Sequence, residues 1–312
     1  MIGHAGTLTR PRGRALRASR VTRGRVLRMA GLYAASFLFI VWAVGPILWV
    51  FISSISTRPE LYLTPFKHWI PEQPTLQNFV DILTTGPQYR AGGYMPTAAL
   101  LASGFSNTLQ MSIIGGGAIT LLATFAGYVF ARVRFRGRNI VFFAILLLLP
   151  LPIWVSLNPL YFIMSSLGLI DTKLGLLLIY IAFGLPLQLW LMTTFIRGLP
   201  EGVDEAASID GASRWQIMWH IILPLSRPGM TSAFLISALS IWNAFLIPLV
   251  FSTSQASQPV TVVLSLFIGQ YEVPWESMSA ATALIILPPL ALAFFFQRYL
   301  VRGAFVGSTS GE

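Results

Sequence analysis

An all-α, polytopic membrane protein with six transmembrane helices is the fold this 312-residue sequence predicts. Three observations carry that expectation. The chain is 55% hydrophobic and 10% charged, whereas soluble domains carry roughly 25% charged residues. Six charge-free apolar segments are each long enough to cross the ~30 Å hydrocarbon core as a helix. Lysine and arginine are distributed very unevenly among the intervening loops. Within lipid a helix satisfies its own backbone hydrogen bonds, so helix is the conformation expected of such runs.

The elements follow in order. Residues 1–29 form a basic tail, with eight arginines in the first 28 residues and no acid among them. Such a run beside an apolar segment acts as a topology signal held by the anionic cytoplasmic leaflet. No aromatic–basic platform accompanies it, which argues against nucleic acid as a partner. The first span, Gly31–Ile52 within a helix over residues 30–53, is longer than the usual signal-peptide core and lacks a convincing small-residue cleavage site. It reads as an uncleaved anchor. Residues 54–104 then form a long loop rich in proline and glycine.

The core domain, residues 105–303, holds five further spans: Phe105–Phe130, Ile140–Met164, Leu174–Phe195, Met230–Phe251 and Met278–Phe296. In the first of these, Ala123, Gly127 and Ala131 form a four-residue stripe of small side chains that allows close helix approach. Pro150, Pro152, Pro159, Pro186, Pro248, Pro288 and Pro289 fall within spans. Each removes a backbone donor and tends to kink its helix. A short tail, residues 304–312, ends the chain.

Orientation follows from the basic residues. With the N-terminus in the cytoplasm, 17 of the 21 lysines and arginines lie inside, and only Arg58, Lys67, Arg90 and Lys173 lie outside. An even number of spans returns the C-terminus to the cytoplasm.

Several function classes are disfavoured. As drawn, no span contains an ionisable side chain, whereas ion-driven transporters keep such groups at membrane depth. There is no cysteine, and His4, His68 and His220 make no metal-ligand spacing. The only lysines, Lys67 and Lys173, are external and belong to no phosphate-binding loop. Any ATP would therefore be hydrolysed by another chain. Neutral polar groups remain: Asn158, Gln188, Trp190, Trp242 and Asn243, with Ser237, Ser240 and Asn243 recurring three apart. They suit a hydroxyl-rich, neutral solute, or equally the interhelical hydrogen bonds of a packed bundle.

One segment departs from the rest. Residues 201–210 hold four of the eleven acids, Glu201, Asp204, Glu205 and Asp210, on the cytoplasmic side between the fourth and fifth spans. Leu199-Pro200-Glu201 reads as a helix start, with acids complementing the positive end of the dipole. Gly211 ends that helix, and Ser213 and Gln216 have capping-box spacing for a second one that ends near Pro224. An alanine-tipped helix can enter a narrow groove on a partner; the plainer alternative is an interfacial connector.

The residues "EAASIDGASRWQIMWHIILPLSRPG" resemble the EAA loop of permease subunits in binding-protein-dependent ABC importers. "SNTL" (106–109), "GYVFARVRFRGR" (127–138), "PLYFIMSSLGLIDTKLGLLL" (159–178), "WNAFLIPLVF" (242–251) and "FQRYLVRG" (296–303) resemble the carbohydrate branch, and its maltose-type second permease in particular. The likeness runs from about residue 30 to 305. It implies a type I importer permease fold in a bacterial inner membrane. It implies four kinds of partner: a homologous second permease, two cytoplasmic ATPase subunits that hold ATP and magnesium, an extracytoplasmic sugar-binding protein, and the sugar. By the same likeness Glu205, Ala206, Ala207, Asp210 and Gly211 form the element that couples to the ATPase, within a loop of about 199–228. Asn158, Gln188, Ser240, Trp242 and Asn243 are the candidates for the substrate pathway. The chain itself would bind no cofactor and catalyse no reaction. Ala244 after Trp-Asn and the ending "FVGSTSGE" depart from the family pattern. The competing expectation is a secondary transporter or channel that works alone.

Overall fold

The computed structural model describes residues 23–62, 69–84, 89–90, 93–94, 96–200, 202–268 and 273–305. Most of the basic tail, Glu201 and the end of the chain lie outside the described residues. Two compact units are distinguished, residues 1–49 and 50–312. The described part of the first is most of helix α1 (Arg23–Ser54), which starts inside the stretch expected to be tail. Its side chains from Leu32 to Trp42, apart from Ser36, are apolar around the helix and exposed, as befits a surface that meets lipid.

In the second unit the fold is built on α4 (Ala98–Arg132) and α7 (Lys173–Arg197), with α11 (Arg227–Trp242) against them. The buried positions of α4 step along one stripe: Leu101, Gly104, Thr108, Met111, Gly115, Ile119, Ala123, Gly127 and Phe130. The expected small-residue stripe explains the closeness of α7. A Cβ at Gly127 would lie 3.0 Å from the Thr193 nitrogen, and Ala123 is fully buried. Outward faces keep large apolar side chains such as Ile113, Leu121 and Leu187 exposed.

Among the described residues four helices are long and apolar enough to cross a membrane singly, α1, α4, α7 and α14 (Trp275–Phe305). A fifth candidate is the bent pair Arg214–Leu225 and Arg227–Trp242, which turns through 74°. Three expectations are corrected here. Ile140–Met164 is not one helix but two, α5 (Arg138–Leu146) and α6 (Ile153–Ser166), separated by a turn that ends at Pro152. Met230–Phe251 also breaks, between α11 and α12 (Leu246–Phe251). Pro248 has no N–H to give the Ala244 carbonyl, and the Thr261 hydroxyl supplies that hydrogen bond instead at 2.7 Å. Thr261 belongs to α13 (Val260–Ser265), which packs on α4.

The third correction concerns span ends. α4 starts at Ala98, with Thr97 capping it through Leu100 N, so seven residues expected in the long loop are helical. That loop also contains α2 (Arg58–Tyr62), α3 (Gln77–Thr84) and a two-residue hairpin pairing Tyr89–Arg90 with Gly93–Tyr94. α14 begins three residues before Met278 and so includes Glu276. This carboxylate is 1% exposed, and no hydrogen-bond partner for it is found among the described residues. The helices that carry the spans are therefore not free of ionisable groups.

At the N-terminal end of α4 the segment 252–260 is fastened from two sides. Asp171, in the turn between α6 and α7, adopts a left-handed φ of 59°. Its carboxylate accepts hydrogen bonds from Thr253 N and Ser254 N, both at 2.9 Å, and from the Ser257 hydroxyl at 2.5 Å. Burial alone would raise this carboxyl's pKa. The donors at Ser254, Ser257 and Thr253 outweigh it and hold the group well below the usual carboxylate range. From α4, the Asn107 amide donates to the Gln255 and Gln258 carbonyls at 3.0 and 2.9 Å. Thr108 Oγ1 accepts from Val260 N at 2.9 Å.

Candidate functional site

The other end of α4 carries the segment that stood out in the sequence. Residues 202–209 form α8, an eight-residue helix with no buried residue. It stops by a two-bond device. Ala212 N donates to the Ala207 carbonyl at 2.9 Å and Gly211 N to the Ser208 carbonyl at 3.2 Å. With Gly211 at φ 84°, this is a Schellman end, in which a left-handed residue lets the chain reverse. Ser213 then starts α9 (Arg214–Ile217) with both halves of a capping box: Gln216 N donates to Ser213 Oγ, and Ser213 N to Gln216 Oε1. The expected pair of helices bent at Gly211 is thus present. α9 continues as a π-helical turn, Met218–Ile222, into α10 (Leu223–Leu225), where Pro224 disturbs the ladder.

The second helix lies on the bundle. Ile217, Met218 and Ile222 are buried with Ala123, Tyr128, Met192 and Ile196. Trp215 stacks on Phe125 of α4 at 5.9 Å, and Trp219 meets the same ring edge-on at 5.7 Å. Beyond this anchor, α8 divides its residues by face. Glu205, Ala206, Ile209 and Asp210 are exposed, Ile209 at 85%. Ala207 and Ala212 are half-buried and pack against the cluster around Ile217.

Asp204 also turns inward. Its carboxylate lies 3.2 Å from Nε of Arg132, in the last turn of α4. Both side chains are largely buried, at 9% exposure for Arg132 and 16% for Asp204. Arg132 Nη2 donates to the Leu199 carbonyl at 2.6 Å, and Arg197 at the end of α7 reaches back to the Phe130 carbonyl at 3.4 Å. Neither Arg132 nor Ile209 is distinguished by the sequence pattern. Arg132 reads there as one more topology charge, and Ile209 as an apolar residue among alanines.

The expected pathway residues differ in exposure. Gln188 and Trp242 are buried inside the bundle, at 2% and 4% exposure. The Trp242 ring meets Phe105 edge-on at 5.5 Å. Asn158, Ser240 and Asn243 are exposed, and the Asn243 amide donates to the Leu239 carbonyl of its own helix at 2.8 Å. A cavity of about 370 Å³ lies nearby, lined by apolar residues including Leu101, Phe105, Val260, Ala281 and Ile285. It offers no side-chain partner to a hydroxyl-rich solute. Among the described residues no group of three or more histidine, cysteine or acidic side chains could hold a metal.

Comparison with known proteins adds an independent line. Residues 119–306 match the family model described as binding-protein-dependent transport system inner membrane component. The trehalose/maltose transport system permease protein MalG of Thermococcus litoralis is 30% identical over 93% of this chain and 100% of its own. The diacetylchitobiose uptake system permease protein NgcG of Streptomyces coelicolor is 30% identical over 87% and 86%. In fold, the chain resembles one in a bacterial ABC transporter involved in import of the acidic polysaccharide alginate. That likeness has a TM-score of 0.70 and 23% identity, and covers 88% of this chain and 98% of the other.

Proposed function

The chain belongs to the family of binding-protein-dependent transport system inner membrane components, and on that premise we propose that it is the permease subunit of an ATP-driven carbohydrate importer in a bacterial cytoplasmic membrane. It crosses six times with both termini inside, the third crossing made by α5 with α6 and the fifth by α11 with α12. A second, homologous permease completes the pathway. Two cytoplasmic ATPase subunits bind ATP and magnesium, and an external binding protein delivers the sugar. This chain hydrolyses nothing itself.

One observation carries the reading: α8 is a whole helix with no buried residue, and Glu205, Ala206 and Ile209, with Asp210 just after it, are exposed. An isolated eight-residue helix is unstable in water, so its exposed face gains stability when a partner covers it. Small Ala206 permits close approach, Ile209 supplies apolar area, and the two acids meet cations of the ATPase. Gly211 sets the angle of the helix to α9. On the pathway side, Asn158, Ser240 and Asn243 are accessible and offer hydroxyl and amide groups to a neutral sugar. Gln188 and Trp242 reach it only if the bundle opens.

The experiment is reconstitution of the complete transporter with Ala206→Trp. Uptake of sugar is expected to fall at least tenfold while the permease still folds and inserts, because the indole cannot enter a groove that fits alanine. Uptake at the wild-type rate would reject α8 as the docking element.

A further inference from the structure

The position of Arg132 goes beyond this reading and rests on it. α8 buries none of its own residues, and the contacts that place it among the described residues include the packing of Ala207 and Ala212 and the Arg132–Asp204 pair. Arg132 does three things from one side chain. It lies 3.2 Å from the Asp204 carboxylate, hydrogen-bonds the Leu199 carbonyl just after α7, and ends the helix that makes the largest interhelical interfaces in the molecule. Arg197 completes a reciprocal tie, from α7 to the Phe130 carbonyl near the end of α4. Its guanidinium also lies 5.7 Å from the Phe142 ring of α5. One charge pair thus joins a lightly held surface helix to the ends of two transmembrane helices.

The pair is partly buried, so it is less screened than a surface pair, and a lone charge left in its place is costly. An arginine in the last turn of α4 also complements the negative end of that helix. Of the loop's acids, Asp204 therefore differs in role from Glu205 and Asp210. Its charge is directed into its own chain.

We propose that Arg132 and Asp204 are positioning residues that transmit displacement of α8 to α4 and α7, so that ATPase movement becomes opening of the pathway. The pair makes no contact with ATP or sugar and acts through the helices it joins.

The test uses the full reconstituted transporter and measures sugar taken up per ATP hydrolysed. Asp204→Asn is expected to leave the ATPase bound and hydrolysing while uptake per ATP falls about fivefold or more. Asp204→Glu, which keeps the charge, should retain most of the coupling. Arg132→Gln should reproduce the loss from the α4 side, and because Arg132 also holds the Leu199 carbonyl, the double variant should be no worse than Arg132→Gln alone. Wild-type uptake per ATP in both single variants, or additive losses in the double, would overturn the proposal. So would failure of both single variants to assemble, because the pair would then serve stability alone. The Ala206→Trp arm separates this result from failure of the docking reading. If Ala206→Trp transports normally, α8 is not the contact; if it fails while Asp204→Asn couples normally, only the transmission role is lost.

Discussion

The two ends of α4 are fastened by different chemistry. At its N-terminal end, segment 252–260 is held by three donors to the Asp171 carboxylate, two from the Asn107 amide and one accepted by Thr108. At its C-terminal end, α8 exposes a full face, and the ties seen among the described residues include the Arg132–Asp204 ion pair and two half-buried alanines. Both segments link helices of the same bundle and each involves a carboxylate, that of Asp171 from the α6–α7 turn for 252–260 and that of Asp204 within α8. In one, the carboxylate's acceptor capacity is used on backbone N–H groups that would otherwise be orphaned. In the other, two of the three described acids face outward. A segment whose backbone donors are taken up by a carboxylate of the same chain is a fixed part of the fold, whereas one that leaves its own acids exposed is free to meet a partner.

Substitutions can break this contrast. The largest effect is expected for Asp171→Ala, which strands Thr253 N, Ser254 N and the Ser257 hydroxyl. Loss of about 2–3 kcal/mol of stability is anticipated for charge-assisted bonds of this kind, read as a lowered unfolding temperature in detergent. The pH dependence sharpens the point. The pKa of Asp171 is lowered in the folded state, so its contribution is complete above the ordinary carboxylate pKa of about 4. It is lost only as pH falls below that toward the lowered folded value. Thermal unfolding should show Asp171→Ala to be less stable than wild type at pH 7, with the gap narrowing under strong acid. A gap constant with pH would show that the clamp's charge contributes nothing.

A smaller effect is expected for Gly211→Ala. A Cβ meets no atom there, so space is not the obstacle. The φ of 84° costs an L-residue about 1–2 kcal/mol. Because α8 is only lightly held, relaxation should stay local. Global unfolding should change little, whereas amide exchange in 202–213 should accelerate several-fold. The smallest effect belongs to Glu205→Gln, an exposed position without a described partner, within about 0.5 kcal/mol of wild-type stability. If Glu205→Gln destabilised the free subunit as much as Asp171→Ala, the contrast between the two ends would be wrong.

Some of this was legible in the residues. The capping box at Ser213 and Gln216 and the bend at Gly211 follow from local chemistry that any fold would respect, and the small residues around Gly127 marked where another helix can come close. The EAA loop was found because its acids, alanines and glycine stand out in an apolar chain. The broken spans were less readable. Proline occurs both inside continuous helices, as at Pro186 and Pro288, and at breaks, as at Pro152 and Pro248. Whether a helix continues depends on what satisfies the freed carbonyl, and at Ala244 that is Thr261, from another helix.

The sequence by itself determined the helical class, the apolar spans and the place of the bent loop, because lipid forces backbone satisfaction within each segment and caps act within four residues. Tertiary structure alone decided which acid faces where. Asp204 and Glu205 are neighbours in the chain, yet one meets Arg132 and the other faces outward. Successive residues on a helix point about 100° apart, and only the packing of α8 beside α4 settles which of those directions is inside.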